Sequence, residues 1–217
     1  MAYKKFAMSI IGGFAISLSA YCYSSLNGSL IGALIFSFGL LTVVLYQLPL
    51  YTGNAGFFLT KKELNFLFFA LLGNVIGCLL GALIFSYTLD DKPLNFINKA
   101  IEARSVYDFQ DGMSVLMKSI GCGFIMTVAV KFARECRQNY NLMYVLPLLF
   151  GVPLFLLSGF FHSIVDAFYL SYKIINPYIC FSNDTELIVA LVGWFCVVLG
   201  NLIGCNLSRI ITVDKYF

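Results

Sequence analysis

Gly73-Asn74-Val75-Ile76-Gly77-Cys78-Leu79-Leu80 and Gly200-Asn201-Leu202-Ile203-Gly204-Cys205-Asn206-Leu207 share six of their eight positions. A second pair echoes the first: Ser9-Ile10-x-x-Gly13-Phe14 and Ser119-Ile120-x-x-Gly123-Phe124. The two offsets, 127 and 110 residues, differ because the second half has a longer segment before its last matching stretch. The chain reads as a duplicated unit whose halves run over about 1–90 and 112–217 of a single domain.

The surroundings of these stretches fix their medium. Of the 217 residues 60% are hydrophobic and 12% charged, about half the charge a soluble domain carries. Apolar runs of about 20 residues match the length a helix needs to cross the hydrocarbon core. They predict helices near 6–26, 30–48, 64–88, 113–133, 142–160 and 187–208. Matching helices are three apart, an odd number, so they run in opposite directions through the bilayer. The expected fold is an all-α integral membrane protein, with six transmembrane helices in an inverted 3+3 repeat. The site of such a protein is expected near the midplane, where the halves meet.

Two places interrupt the apolar pattern. Thr52-Gly53-Asn54-Ala55-Gly56 is a turn-like run, and residues 161–172 stay apolar around His162 and Asp166. Helices two and five are therefore expected to be broken inside the membrane. A backbone unwinds at that depth only where protein or a water-filled cavity satisfies its polar groups. The glycines carry a packing role: Gly73, Gly77 and Gly81, like Gly200, Gly204 and Ser208, form small-residue stripes along which helices approach closely.

The charges set an orientation. One side holds nine basic residues (Lys4, Lys5, Lys61, Lys62, Lys131, Arg134, Arg137, Arg209 and Lys215) against three acids. The other holds five basic residues and seven acids, mostly in 90–111, with intramembrane Asp166 set aside. The basic side is expected to be cytoplasmic, with both termini inside and the chain in the inner (cytoplasmic) membrane. Lys4-Lys5 followed by an apolar run imitates a signal peptide, but Tyr21 stands before Cys22 where a small residue belongs, so the run reads as the first span. The seven cysteines are scattered, without metal-ligand spacing, and read as packing residues. No metal, cofactor or nucleic-acid partner is expected; the bilayer is.

His162 is the only histidine and sits in an interrupted, apolar stretch. An ionisable group at that depth marks a pathway or a proton relay. Phe155-Leu156-Leu157-Ser158-Gly159-Phe160-Phe161-His162-Ser163-Ile164 resembles the Phe-x-x-Ser-Gly-Phe-x-His-Ser-Ile segment of the formate/nitrite transporter family. Phe36-Ser37-Phe38-Gly39-Leu40 and Leu50-Tyr51-Thr52-Gly53-Asn54 are similar to that family's constriction helix and Thr-bearing loop. The resemblance implies a homopentamer of six-helix protomers, each with its own pore for small monovalent anions such as formate, nitrite or hydrosulfide. It implies that His162 is the central pore histidine and Thr52 its hydrogen-bonding partner. It places Leu50 and Tyr51 at the periplasmic constriction, and Phe36, Leu40 and Phe155 at narrow points of the pore. Asp166, Lys118, Asn74 and Asn201 are candidate modulators. Lys118 lies near the periplasmic mouth, where it draws in anions or faces lipid as a solvated side chain. Three departures bear on the cargo: Phe161 where the family often has an acid, Asp166 where Asn is usual, and Gly123 where Asn is frequent, the last being similar to the hydrosulfide branch.

A bare anion crosses an apolar constriction at great cost, whereas its neutral acid crosses far more cheaply. A midway histidine that protonates the anion resolves the difficulty, with Thr52 orienting the cargo. A carboxylate at Asp166, if close, would hold His162 cationic to higher pH. Two other classes remain. A neutral-solute channel of aquaporin-like architecture would want paired Asn-Pro-Ala-like half-helices, and the intramembrane prolines here are Pro49, Pro147 and Pro153. A membrane hydrolase would want a nucleophile motif beside His162 and Asp166, so an enzyme is not expected.

Overall fold

The asparagines of the repeated stretch hold the molecule together from within. In the computed structural model, which describes residues 2–57, 60–87, 92–138 and 142–207, each lies on a long helix and binds the backbone of an interrupted one. The described elements are all helical: α1 (Ala2–Ser25), α2 (Leu30–Leu45), α3 (Tyr51–Asn54), α4 (Lys61–Ser86), α5 (Lys92–Glu102), α6 (Phe109–Gln138), α7 (Val145–Leu157), α8 (Ser163–Ile175) and α9 (Asp184–Leu207). A short 3₁₀ turn, Leu142–Tyr144, precedes α7. Among the described residues four helices are long and apolar enough to cross a membrane: Tyr3–Ser25, Lys61–Ser86, Phe109–Arg137 and Asp184–Leu207. The helices α2 and α7 are apolar but shorter.

Local chemistry explains several starts. Ser29 caps α2, its hydroxyl accepting from Gly32 N–H at 3.1 Å. Thr60 and Glu63 form a reciprocal capping box at α4. Residues 46–50, between α2 and α3, are non-helical, whereas the expected turn at 52–56 begins within α3, which holds Thr52 and Gly53. The backbone turns at Gln47, whose φ is +54°. In the second half the interruption is 158–162, with Gly159 at φ +69°, and Ser163–Ile175 is regular helix. Most of the 90–111 segment, which the sequence marked only as charged, is the helix α5 and the turn after it. Ser208, Arg209 and Lys215, like Asp90 and Asp91, lie outside the described residues.

Lipid tails are as apolar as leucine, so such helices associate through close packing and hydrogen bonds rather than through burial of oil. The outward faces carry large apolar side chains, with Phe38 64% and Phe150 73% exposed, while Ser9, Ser17, Asn74, Ser119, Thr127 and Asn201 are buried. The helix pairs α1–α4 and α6–α9 pack intimately, and their glycines meet matching residues, Gly73 facing Ser9 and Gly200 facing Ser119. A Cβ at Gly77 would strike the Ile10 carbonyl oxygen, and one at Gly204 the Ile120 carbonyl oxygen. Glycine is required at both for that approach.

Candidate functional site

The candidate site lies where the link between α2 and α3 approaches the link between α7 and α8. Asn74 Nδ2 donates to Ser9 O (2.7 Å) and Pro49 O (2.9 Å), and its Oδ1 accepts from Tyr51 N–H (2.8 Å). Asn201 Nδ2 donates to Ser119 O (2.9 Å) and Phe161 O (2.9 Å), and its Oδ1 accepts from Ser163 N–H (2.8 Å). Each amide thus satisfies the backbone on both sides of a break, the accounting that irregular backbone requires away from water. Two cysteines extend the frame across the halves. Cys78 Sγ donates to Ile164 O at 3.3 Å, and Cys205 Sγ to Thr52 O at 3.5 Å. Cysteines read from sequence as packing residues therefore hydrogen-bond the backbone at the site.

This frame brings Thr52 and His162 together. Thr52 Oγ1 lies 2.9 Å from His162 Nε2, and both residues are buried. His162 is also the N-cap of α8: its Nδ1 accepts from Val165 N–H at 3.4 Å. A neutral ring whose Nδ1 lone pair is so engaged carries its proton on Nε2 and donates it to Thr52. The Phe155 ring stacks on the imidazole at 5.6 Å between centroids, and Phe36 meets Phe155 edge-on at 6.3 Å. Phe36, Leu40, Leu50 and Phe155 are all fully buried in one cluster. Tyr51 is buried as well, but its hydroxyl donates to Val198 O at 3.0 Å, tying α3 to α9.

A cavity of about 380 Å³ opens on one side of this cluster, lined by Tyr23, Lys99, Arg104, Lys118, Phe155 and Phe161, and reaching His162. Lys118 therefore faces the cavity, its Nζ 5.1 Å from the centre of the Phe161 ring. The Asp166 carboxylate faces Arg104. Its Oδ1 lies 2.5 Å from Nε, while the Asp166 N–H donates to His162 O at 3.0 Å. A carboxylate so buried requires a cation, and Arg104 supplies it from the turn after α5. Sequence reading passed over Arg104; the signal was Asp166 itself, since an acid within a span calls for a named partner. It also missed Trp194, whose Nε1–H donates to Ser163 O at 2.9 Å beside the second break.

The profile of the formate/nitrite transporter family matches residues 2–213, nearly the whole chain. The chain belongs to the formate/nitrite transporter family. It is accordingly a multi-pass membrane protein. A pentameric formate channel solved with formate bound is 20% identical, with 97% of this chain and 95% of that one covered at a TM-score of 0.76. An FNT family ion channel is 17% identical, with 96% and 86% covered at a TM-score of 0.75. At these identities the likeness shows a common fold. None of the curated proteins matches the chain.

Proposed function

We propose that the protein passes small monovalent anions (formate, nitrite or hydrosulfide) through a pore within each protomer, with proton exchange at His162. One observation carries the reading in a chain of this family: the buried Thr52–His162 contact, flanked by the Phe36–Phe155 pair, at the inner end of a cavity with a basic rim. An anion leaving the cavity meets apolar side chains, where a bare charge is costly. Close to the ring it favours the imidazolium and takes its proton. The neutral acid then passes the apolar cluster, and His162 is reprotonated from water. Thr52, accepting from Nε2–H, keeps its own hydroxyl proton free to orient the cargo.

The remainder of the reading rests on the same frame. The correspondence of the Asn74 and Asn201 contacts supports an inverted repeat of six spans in one domain, with α2–α3 and α7–α8 each one span broken at its middle. The basic residues at the starts of α1 and α4 and the end of α6 favour the cytoplasmic face of the cell membrane, with both termini inside. The pentameric neighbour of the same fold favours a homopentamer.

Flux into proteoliposomes tests the reading. Formate, nitrite or hydrosulfide should pass and sulfate should not, because the cost of an apolar passage rises steeply with charge. An inward proton gradient should speed entry, since a proton accompanies each anion. Comparable sulfate flux, or passage of neutral solutes alone, would overturn it, the latter in favour of an aquaporin-like channel.

A further inference from the structure

Two cations converge on the ring immediately before the pore histidine. Arg104 Cζ lies 4.3 Å from the centre of Phe161 and Lys118 Nζ 5.1 Å from it. Arg104 comes from the turn after α5 and Lys118 from α6, so only the tertiary fold brings them together. Both line the cavity that ends at His162. Within the guanidinium, Nη1 donates to Ala100 O at 2.5 Å and Nε faces Asp166. Among the described residues Nη2 has no protein acceptor, and neither has the Lys118 ammonium. Asp166 is 1% exposed, and the guanidinium of Arg104 beside it compensates its charge.

We propose that Arg104 Nη2 and Lys118 form a capture site for a monovalent anion against Phe161, one residue ahead of His162, and that Asp166 weakens this site by neutralising Arg104. The inference rests on the anion-channel reading above. Without the carboxylate, two cations beside an apolar ring would hold an anion tightly, because interactions in a partly dry cavity are much stronger than in water. A conducting pore needs a site strong enough to fill and weak enough to empty. With Asp166 in place the cluster carries one net positive charge, matched to a singly charged ion. The aromatic face supports both cations without cancelling either.

Formate flux into proteoliposomes, measured against concentration, tests the proposal. Arg104→Gln alone would strand a buried carboxylate, so the informative variants are Lys118→Gln, Asp166→Asn and the pair Arg104→Gln/Asp166→Asn. The pair removes both charges and leaves the net charge unchanged. Lys118→Gln and the double variant should each raise KM for formate about three- to fivefold, with maximal flux near wild type. Asp166→Asn should do the opposite, lowering KM and lowering maximal flux as release slows. A purely structural ion pair would alter assembly or maximal flux and leave KM alone. Unchanged KM in Lys118→Gln or in the double variant overturns the two-cation site; if the double variant fails to assemble, Lys118→Gln and Asp166→Asn decide. A wild-type protein that passes no anion fails the channel reading instead.

Discussion

Both nitrogens of His162 are occupied, and that restricts what the ring can do. Nδ1 caps α8 and Nε2 meets Thr52, so protonation at Nδ1 replaces a cap contact with a second N–H facing Val165 N–H. His162→Phe removes cap and donor together and should abolish anion flux while the assembly stays intact by size-exclusion chromatography. His162→Asn is the sharper variant, because asparagine is a strong N-cap residue and keeps a donor, yet has no proton to give. Loss of flux in both supports proton exchange. Conduction through the Asn variant assigns the ring to gating or selectivity instead, and wild-type flux through His162→Phe ends the pore-histidine reading. The carboxylate of Asp166 advertised an intramembrane acid, but its partner is distant in sequence, so which of His162 and Arg104 it faces is settled only by packing.

At the scale of elements, the two breaks depend on one side chain each. Asn74→Leu would leave Pro49 O and Tyr51 N–H without their partner, and Asn201→Leu would do the same to Phe161 O and Ser163 N–H. Each buried orphan costs about 1–3 kcal/mol, so either substitution should cost at least about 2 kcal/mol. Thermal melting in detergent reads the loss, and wild-type melting in both variants would show that the loops find other partners. The same asparagines explain how much the sequence disclosed. The repeat around them was legible because an identical packing problem, a close helix crossing beside a break, was solved twice with the same residues. The location of the first break was not. Thr52-Gly53-Asn54 has turn chemistry, yet it is helical because Tyr51 N–H is taken by Asn74, an acceptor on another helix that no local pattern reveals. The helix α5 escaped for a related reason: Pro93, Ile97, Ala100 and Ile101 make a short buried face in a charged segment, and the surfaces it needs, α1 and α8, adjoin only in the fold.

For the whole molecule, the decisive fact is that Thr52, His162, Phe36 and Phe155 all belong to one chain and meet within it. If five such chains assemble, the pores lie inside the protomers and not on the shared axis. That arrangement predicts how mixed assemblies behave. Wild-type and His162→Phe chains, co-expressed with different tags at varied ratios and purified as hetero-oligomers, should give formate flux in direct proportion to the wild-type fraction, since every intact protomer conducts by itself. A pore built on the symmetry axis would behave otherwise. There a single phenylalanine would sit in the common path, and flux would fall with the fifth power of the wild-type fraction, leaving little activity in an equal mixture. Native mass spectrometry of the same samples supplies the subunit count on which the comparison depends; a monomer or trimer would refute the pentamer while leaving the linear law intact. A steep, cooperative fall would refute independent pores, even with His162 essential.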